Sequence, residues 1–313
     1  MTPAQGIAER VLAGERGGVA RALNLIESSR NDDREAARAV VDAVASHPRI
    51  GGQVVGLTGP PGVGKSTLGG RIVAEWRRRG HTVGVIAVDP SSRASGGAVL
   101  GDRSRIAKPA GDDGVFIRSM AARDRLGGLA PGSVDAILVM RAAFDRVLVE
   151  TVGVGQSETD VSTAADQTVV IVQPAGGDTL QFIKAGLMEI FDLLAVNKAD
   201  LGAIAERTRR ELRAALRVLD RQDTPVVPTS GATGTGVAEL VDAVDERFAA
   251  LGDGLAGLRE AKLREHVVRT ATELHGTLAL ARHGGHAAAL GRLAALPPGS
   301  PPSALLAAAI PTS

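Results

Sequence analysis

The chain has 313 residues, of which 44% are hydrophobic and 23% charged, which is typical of a globular protein with one large α/β domain and additional elements. A net charge of +1, only 2% aromatic residues and no cysteine argue against binding of nucleic acid or of an anionic membrane, and exclude disulfides and thiolate metal sites. The polar N-terminal stretch and the lack of a long apolar run predict a cytoplasmic protein without a membrane segment.

Residues 1–48 are predicted to form a helical extension. Apolar residues recur at helical spacing in its first half, with a break expected near Gly17–Gly18. A second helix begins at the acidic residue Asp32 and ends before Pro48, as the usual start and stop signals of helices indicate.

Seven short, β-branched apolar runs follow, separated by longer amphipathic segments. The runs lie at 53–57, 82–88, 114–119, 146–151, 168–173, 192–197 and 225–229. Nearly continuous apolar strands that alternate with helices are typical of a parallel sheet covered on both faces. The segment 49–252 is therefore predicted to be a doubly wound, mostly parallel α/β domain, which binds its ligands at the carboxyl ends of the strands.

The remaining segment, 253–313, is predicted to form a helical C-terminal extension. Residues 259–282 have the pattern of one long helix. A short helix, a proline-rich kink and a weakly specified end are expected after Gly284–Gly285.

The stretch GPPGVGKS, residues 59–66, follows the first predicted strand and opens a helix, which is the context of a P-loop. Glycines let backbone N–H groups turn towards a phosphate, and the helix N-terminus adds its positive end. Lys65 supplies a charge between the β- and γ-phosphates, and the Ser66 hydroxyl is a ligand for Mg²⁺. The residues expected to bind the phosphates are Gly59, Pro60, Pro61, Gly62, Val63, Gly64, Lys65 and Ser66.

The tetrapeptide NKAD, residues 197–200, comes directly after a later strand. The Asp200 carboxylate can accept hydrogen bonds from N1–H and the exocyclic amine of guanine, whereas adenine offers no such pair of donors. The next strand leads into the turn 230–232, whose backbone amides can face guanine O6. We therefore expect a guanine nucleotide, GTP or GDP, whose base contacts Asn197, Lys198, Asp200, Ser230, Gly231 and Ala232.

Two carboxylates, Asp89 and Glu150, stand at the ends of predicted strands. Carboxylates in this position beside a P-loop can hold Mg²⁺ directly or through water. Glu150 opens the stretch ETVG, which takes the place of the D-x-x-G switch of Ras-like GTPases, and the amide of Gly153 is expected to sense the γ-phosphate. A helix cap or a solvated strand end is the alternative for each carboxylate.

Several long motifs occur in the same order as the P-loop and the NKAD tetrapeptide. They are GERGGVARALNLIES (14–28), VDPSSRASGGAVLGDRSRI (88–106), FIRSMAARDRLGGLA (116–130), ETVGVGQSETD (150–160) and GDTLQFIKAGLMEIFDLLAVNKAD (177–200). With these motifs the chain resembles the methylmalonyl-CoA mutase-associated GTPases of the MeaB/ArgK group over about residues 7–250. The resemblance implies a P-loop GTPase that is a homodimeric chaperone of adenosylcobalamin-dependent acyl-CoA mutases, gates cofactor loading, and protects or reactivates the mutase.

The resemblance also implies roles for particular residues. The phosphate loop extends to Thr67, and the last long helix is the arm through which the subunits pair. Acidic residues around Mg²⁺ are Asp89, Asp102 and Glu150. Catalytic roles are implied for Lys65, Asp102 and Glu150. The loop 174–186 is a switch that signals the nucleotide state to the mutase through Asp178, Gln181 and Lys184.

The chain departs from the family pattern at three places. Thr179 replaces an acid of the signalling loop, which leaves charge coupling through this position open, and Asp124–Arg125 replace a Gly–His pair. The proline- and alanine-rich tail matches poorly. The residue that orients the attacking water also stays open, because Gln156 fits a polar helix start equally well.

Two alternative functions are a nickel-insertion GTPase and a nucleotide-dependent kinase linked to amino-acid transport. Nickel insertion would require closely spaced Cys and His ligands, whereas the chain has no Cys, and its nearest His pair, His283 and His286, lies in the tail. The kinase conflicts with the NKAD tetrapeptide and predicts that ADP binds as tightly as GDP.

Overall fold

The computed structural model describes residues 2–47, 51–89, 111–121, 129, 132–151, 157–174 and 191–311. The chain divides into two compact units. The sheet unit comprises Gln53–Ser133 and Phe144–Gly252, and the helical unit comprises Met1–Gly52, Val134–Ala143 and Asp253–Ser313. The segment 134–143, which lies between two strands in sequence, therefore belongs to the helical unit.

The described residues of the sheet unit contain a single seven-stranded sheet in which all paired neighbours are parallel. Its strands are β1 (Gln53–Thr58), β2 (Val83–Asp89), β3 (Val115–Ala121), β4 (Arg146–Glu150), β5 (Gln167–Val172), β6 (Leu193–Val196) and β7 (Val226–Pro228). The strand order β3-β2-β4-β1-β5-β6-β7 confirms the doubly wound parallel fold, and each strand coincides with one of the seven apolar runs.

The strand order places β1 between β4 and β5. After β1 the chain forms β2 and β3 on one side, places β4 between β2 and β1, and then crosses to the other side of β1 to form β5, β6 and β7. Ligands of doubly wound sheets bind at such a reversal, outside the carboxyl ends of the strands. The segment that directly follows β1 is the phosphate loop of the sequence analysis.

The helices in chain order are α1 (Pro3–Leu12), α2 (Arg16–Glu27), α3 (Asn31–Ala45), α4 (Lys65–Arg78), α5 (Ser133–Ala143), α6 (Ser157–Ala164), α7 (Ala203–Val218), α8 (Val237–Leu251), α9 (Gly254–His275), α10 (Thr277–Arg282), α11 (Gly285–Ala294) and α12 (Pro302–Ala309). Helix α4 buries an apolar face that includes Leu68, Ile72 and Trp76, whose large ring is fully buried. This burial anchors the helix that follows the phosphate loop. Across the described residues, no helix combines the length and the apolar character needed to cross a membrane.

The break between the first two helices lies elsewhere than expected. The prediction near Gly17–Gly18 is wrong, because both glycines lie within α2 and the turn is made at Gly14, where φ is +71°. A Cβ atom on Gly18 would lie 2.6 Å from the Cβ of Arg10 on α1. These glycines therefore allow two helices to approach closely, rather than ending one.

The long C-terminal helix is also divided. The predicted helix 259–282 is interrupted at Gly276, where φ is +84°. Helices α9 to α12 share an apolar core made of Val267, Val268, Ala271, Leu280, Ala289, Leu293, Leu305 and Ala309. The proline- and alanine-rich tail thus contributes an ordered helix, α12, to this core, since each helix needs its neighbours to cover its apolar side.

Asp135 lies in the first turn of α5, and burial raises the pKa of its carboxyl group to about 6, with the charge of Asp42 acting in the same direction. Its ordinary pKa is 3.8, so the folded chain binds more protons than the unfolded chain between these values. The contribution of Asp135 to the free energy of unfolding is therefore fully present below the ordinary pKa of 3.8 and is lost as the pH rises through about 6.

We expect Asp135→Asn to raise the free energy of unfolding by about 1–3 kcal/mol at pH 7 and to change it little near pH 4. Denaturant unfolding at both pH values measures the difference. Asp32→Asn is the matched control, since Asp32 also lies in the first turn of a helix but is exposed. An equal gain at both pH values would contradict the assignment to Asp135.

Candidate nucleotide-binding site

The phosphate loop runs from the end of β1 to the start of α4, and two of its glycines lie where a side chain has no room. Gly59 has φ +147°, and a Cβ atom there would lie 2.4 Å from the carbonyl oxygen of Ile171. Gly64 has φ +94°, and a Cβ atom there would lie 2.6 Å from the side-chain nitrogen of Asn197. Side chains at these two positions would therefore push the loop away from β5 and from the NKAD segment.

Lys65 is the first residue of α4 and is almost fully buried. Its Nζ donates hydrogen bonds to the carbonyl oxygens of Gly59 at 2.8 Å and Pro60 at 3.0 Å. The ammonium group thus lies on the loop itself, beside the N-terminal amides of the helix. Positive charge and the N-terminal end of a helix together favour an anion at this place.

The hydroxyl of Ser66 and the carboxylate of Glu150 meet beside the phosphate loop. Ser66 Oγ donates to Glu150 Oε1 at 2.5 Å, and Glu150 is only 7% exposed. The contact arises because β1 and β4 are neighbours, with Leu57 paired to Glu150 in the register. Two oxygen ligands of the kind that Mg²⁺ prefers are therefore brought together.

Other residues of the expected metal and switch set are only partly described. Asp89 ends β2, two positions beyond the pairing of Ala87 with Glu150, and its side chain lies outside the description. The remaining members lie outside the described residues: Asp102, Gly153, Asp178, Gln181 and Lys184.

Asn197 connects the phosphate loop with the turn 230–232, the base-binding turn that the sequence predicts. Its Nδ2 donates to the carbonyl oxygen of Val63 at 2.8 Å, and its Oδ1 accepts from the amide of Gly231 at 3.0 Å. The side chain is 3% exposed. Because buried amides are costly to leave unpaired, these two bonds hold both loops in fixed positions.

Asp200 and Lys198 flank the space beside this connection. Ser230 Oγ donates to Asp200 Oδ1 at 2.6 Å, which orients an otherwise exposed carboxylate. Lys198 adopts φ +61°, and its Nζ donates to Gln173 Oε1 at 2.7 Å and to the carbonyl oxygen of Gly62 at 3.2 Å. The NKAD side chains thus converge on the phosphate loop and on the turn 230–232.

The amides of the turn 230–232 are not equivalent. Ser230 donates its N–H to the carbonyl oxygen of Thr235 at 2.8 Å, and Gly231 donates to Asn197. The N–H of Ala232 makes no hydrogen bond with the described residues. This amide is therefore available to an acceptor on a ligand.

A sequence model of the family described as "Methylmalonyl Co-A mutase-associated GTPase MeaB" matches residues 19–284. The chain belongs to the MeaB family. As a member of this family it is a GTPase and binds guanine nucleotides, in agreement with the P-loop and the NKAD tetrapeptide.

Relatives of this MeaB-family chain include proteins from archaea, bacteria and mammals. A Pyrococcus horikoshii protein named as a GTPase is 43% identical over 277 residues, which are 85% of each chain. The GTPase ArgK of Escherichia coli is 42% identical over 193 residues, covering 61% of this chain and 58% of ArgK. The mouse "Methylmalonic aciduria type A homolog, mitochondrial" is 37% identical over 255 residues, covering 75% of this chain and 61% of the mouse protein.

Solved structures agree with the fold. The crystal structure of an LAO/AO transport system kinase superposes with a TM-score of 0.70 and 28% identity, covering 91% of this chain and 89% of the other. The nickel complex of HypB from Helicobacter pylori has a TM-score of 0.50 and 17% identity over 66% of this chain and 94% of HypB, and shows the shared fold alone.

Two residues of the site were not found from the sequence. Gln173, at the end of β5, positions Lys198, and Arg71 on α4 donates to the carbonyl oxygens of Gly231 and Ala232. No local sequence pattern indicates either residue, because the contacts of both residues join segments that are distant in sequence. The strand end of Gln173 is the one signal that could have indicated it.

We expect Asn197→Ala to lower the free energy of unfolding by about 1–3 kcal/mol and to weaken GDP binding by about tenfold or more, because it leaves the Val63 carbonyl and the Gly231 amide unpaired. Thermal unfolding and calorimetric titration with GDP measure both effects. Asn24→Ala, at an exposed position of α2, is the control. Wild-type stability together with wild-type affinity in Asn197→Ala would contradict the connecting role.

Proposed function

We propose that GTP hydrolysis by this chain serves an adenosylcobalamin-dependent acyl-CoA mutase, most directly methylmalonyl-CoA mutase, by gating cofactor loading and protecting or reactivating the mutase. The family description names this mutase, and a mouse relative is named for methylmalonic aciduria. The long motifs that the chain has in common with the MeaB/ArgK group cover both the nucleotide site and the signalling loop.

The observation that carries the nucleotide part of the proposal is the double hydrogen bond of Asn197. It joins the phosphate loop at Val63 to the base-binding turn at Gly231, so phosphates and guanine can be held in one site. Asp200, fixed by Ser230, then offers its carboxylate to the two guanine donors. Binding and positioning contribute most of the catalysis of phosphoryl transfer, so few reactive side chains are needed.

The oxygen donors beside the phosphate loop fit Mg²⁺. Ser66 and Glu150 would hold the ion together with Asp89 and Asp102, and Mg²⁺ when bound neutralises charge on the β- and γ-phosphates. Within the chain, the almost fully buried Glu150 orients the Ser66 hydroxyl through its 2.5 Å hydrogen bond.

Lys65 provides the fixed positive charge of the site. Its ammonium group donates to the carbonyl oxygens of Gly59 and Pro60 on the phosphate loop, and from this position it would also donate to phosphate oxygens of the nucleotide. Such charge-assisted bonds stabilise the negative charge that moves towards the leaving group during hydrolysis.

We expect Lys65→Ala to reduce the GTP hydrolysis rate by about 100-fold or more, because a charged donor to the transferred phosphate is lost. Phosphate release under saturating GTP measures the rate. Arg207→Ala removes a cation that is 77% exposed and paired on the surface of α7, so it should leave the rate unchanged. An equal loss in both variants would contradict the role of Lys65.

The mutase partnership is tested by measuring GTP hydrolysis with and without the methylmalonyl-CoA mutase of the same organism. We expect an acceleration of at least about tenfold, as a partner that completes the site would produce. Glu150→Gln with the mutase is the matched control, because it retains the surface of the chain but loses a metal-binding carboxylate. Unchanged hydrolysis with the mutase, together with intact GDP binding, would overturn the partner while keeping the GTPase.

Binding experiments distinguish the proposed function from two others. The solved relative is named a transport system kinase, and ADP competing as well as GDP would favour an ATP-dependent kinase. Nickel insertion would require a metal centre. The described residues contain no group of three or more His, Cys, Asp or Glu side chains arranged to hold a metal, and His286 pairs with Glu265 at 3.0 Å.

We also propose a homodimer that pairs through the segment 253–313, as the family resemblance implies. Leu274 and Leu278, on either side of the break at Gly276, are 58% and 66% exposed. Exposed leucines beside a helix break are suited to contact a partner. As part of the proposed mutase function, Gly153, Asp178, Gln181 and Lys184 would act as the switch that signals the nucleotide state.

We expect Leu274→Gln combined with Leu278→Gln to weaken the dimer, because apolar surface that the partner would cover becomes polar. Light scattering over a dilution series measures the mass. Leu201→Gln, which changes a leucine of the sheet unit that is 50% exposed, should leave the mass unchanged. A wild-type mass of one chain would overturn the dimer itself.

A further inference from the structure

Helix α4 carries the phosphate loop at its N-terminus and, less than two turns later, an arginine that reaches the base-binding turn. Arg71 donates from Nε to the carbonyl oxygen of Gly231 at 3.0 Å and from Nη2 to that of Ala232 at 2.8 Å. The planar guanidinium group therefore holds two successive carbonyl groups at once. A lysine cannot reproduce this geometry, because its ammonium group is a single point of attachment.

The turn also rests directly on the first turn of α4. A Cβ atom at Gly231 would lie 3.1 Å from the backbone nitrogen of Leu68 and 3.2 Å from Cγ2 of Thr67. From the other side, Asn197 accepts the N–H of Gly231. The turn is thus held between the phosphate-binding helix and the NKAD segment.

The two bonds of Arg71 determine the direction of the neighbouring N–H groups. In a trans peptide the C=O of one residue and the N–H of the next point in opposite directions. With the Gly231 carbonyl directed to Arg71, the N–H of Ala232 is directed away from it. That N–H makes no hydrogen bond with any residue the structure describes, whereas the amides of Ser230 and Gly231 are both used.

We propose that Arg71 is a positioning residue for guanine recognition. It fixes the peptide planes of the turn 230–232, so that the Ala232 N–H is presented to the O6 acceptor of the base. Adenine carries an amino donor at that place, which this N–H would repel. The inference rests on the proposed guanine site between the NKAD segment and the turn, and it adds the residue that holds one side of that site.

The test compares the wild-type chain with Arg71→Gln, Arg71→Lys and the control Arg78→Gln. Arg71 is exposed, so its replacement should not unfold the chain. Arg78 lies on the same helix, is exposed, and pairs with Glu75 on the surface. The probes are GDP, IDP, which lacks the exocyclic amine but keeps O6, and the diphosphate of 2,6-diaminopurine riboside, which has an amine in place of O6.

We expect both Arg71 variants to bind GDP about tenfold more weakly than the wild type, to release it faster, and to lose part of their preference for GDP over the diaminopurine nucleotide. The ratio of GDP to IDP affinity should stay unchanged, because it reports on Asp200. Arg78→Gln should match the wild type. Each ratio is measured within one variant, so a partly unfolded sample does not alter it.

Two results would overturn the inference. One is wild-type affinity and wild-type preference in Arg71→Gln. The other is full recovery in Arg71→Lys, which would show that charge acts rather than the paired geometry. The guanine site itself fails separately: if the wild-type chain binds ADP as tightly as GDP, the proposed function is wrong whatever Arg71 does.

Discussion

The candidate nucleotide site depends on the hydrogen bonds of one buried amide, the side chain of Asn197. Its donor reaches a residue 134 positions away in sequence and its acceptor a residue 34 positions away, so it joins three segments that have no local reason to meet. Because the side chain is buried, water cannot replace a lost partner, and each missing bond would carry the full cost of an unpaired polar group. The two bonds therefore hold the phosphate loop and the turn 230–232 in a defined relative position.

The parallel sheet makes this connection possible. Segments after β1, β4, β6 and β7 leave the sheet at the same edge, because all paired strands of the described sheet run in one direction. The phosphate loop follows β1, Glu150 ends β4 and contacts Ser66, and the NKAD tetrapeptide follows β6. The segment after β7 contains the turn 230–232, which contacts Asn197. The candidate nucleotide site of this MeaB-family GTPase thus lies where the strand order reverses at β1.

Helix α4 contacts both the phosphate loop and the base-binding turn. Its first residue, Lys65, contacts the phosphate loop, and Arg71 contacts the base-binding turn. The helix is anchored by apolar residues that include the fully buried Trp76. The helical unit has its own apolar core among α9 to α12.

The sequence by itself determined the parallel sheet, the phosphate loop and the choice of guanine, because these depend on local signals. All seven apolar runs became strands, and the glycines at 59 and 64 stand where the backbone needs positive φ. Only the tertiary structure decided that Arg71 and Gln173 belong to the site, since their partners are distant in sequence. It also decided where helices end: glycines at 17 and 18 allow close packing inside a helix, whereas Gly276 interrupts one. A glycine permits both outcomes, and the surrounding packing selects between them.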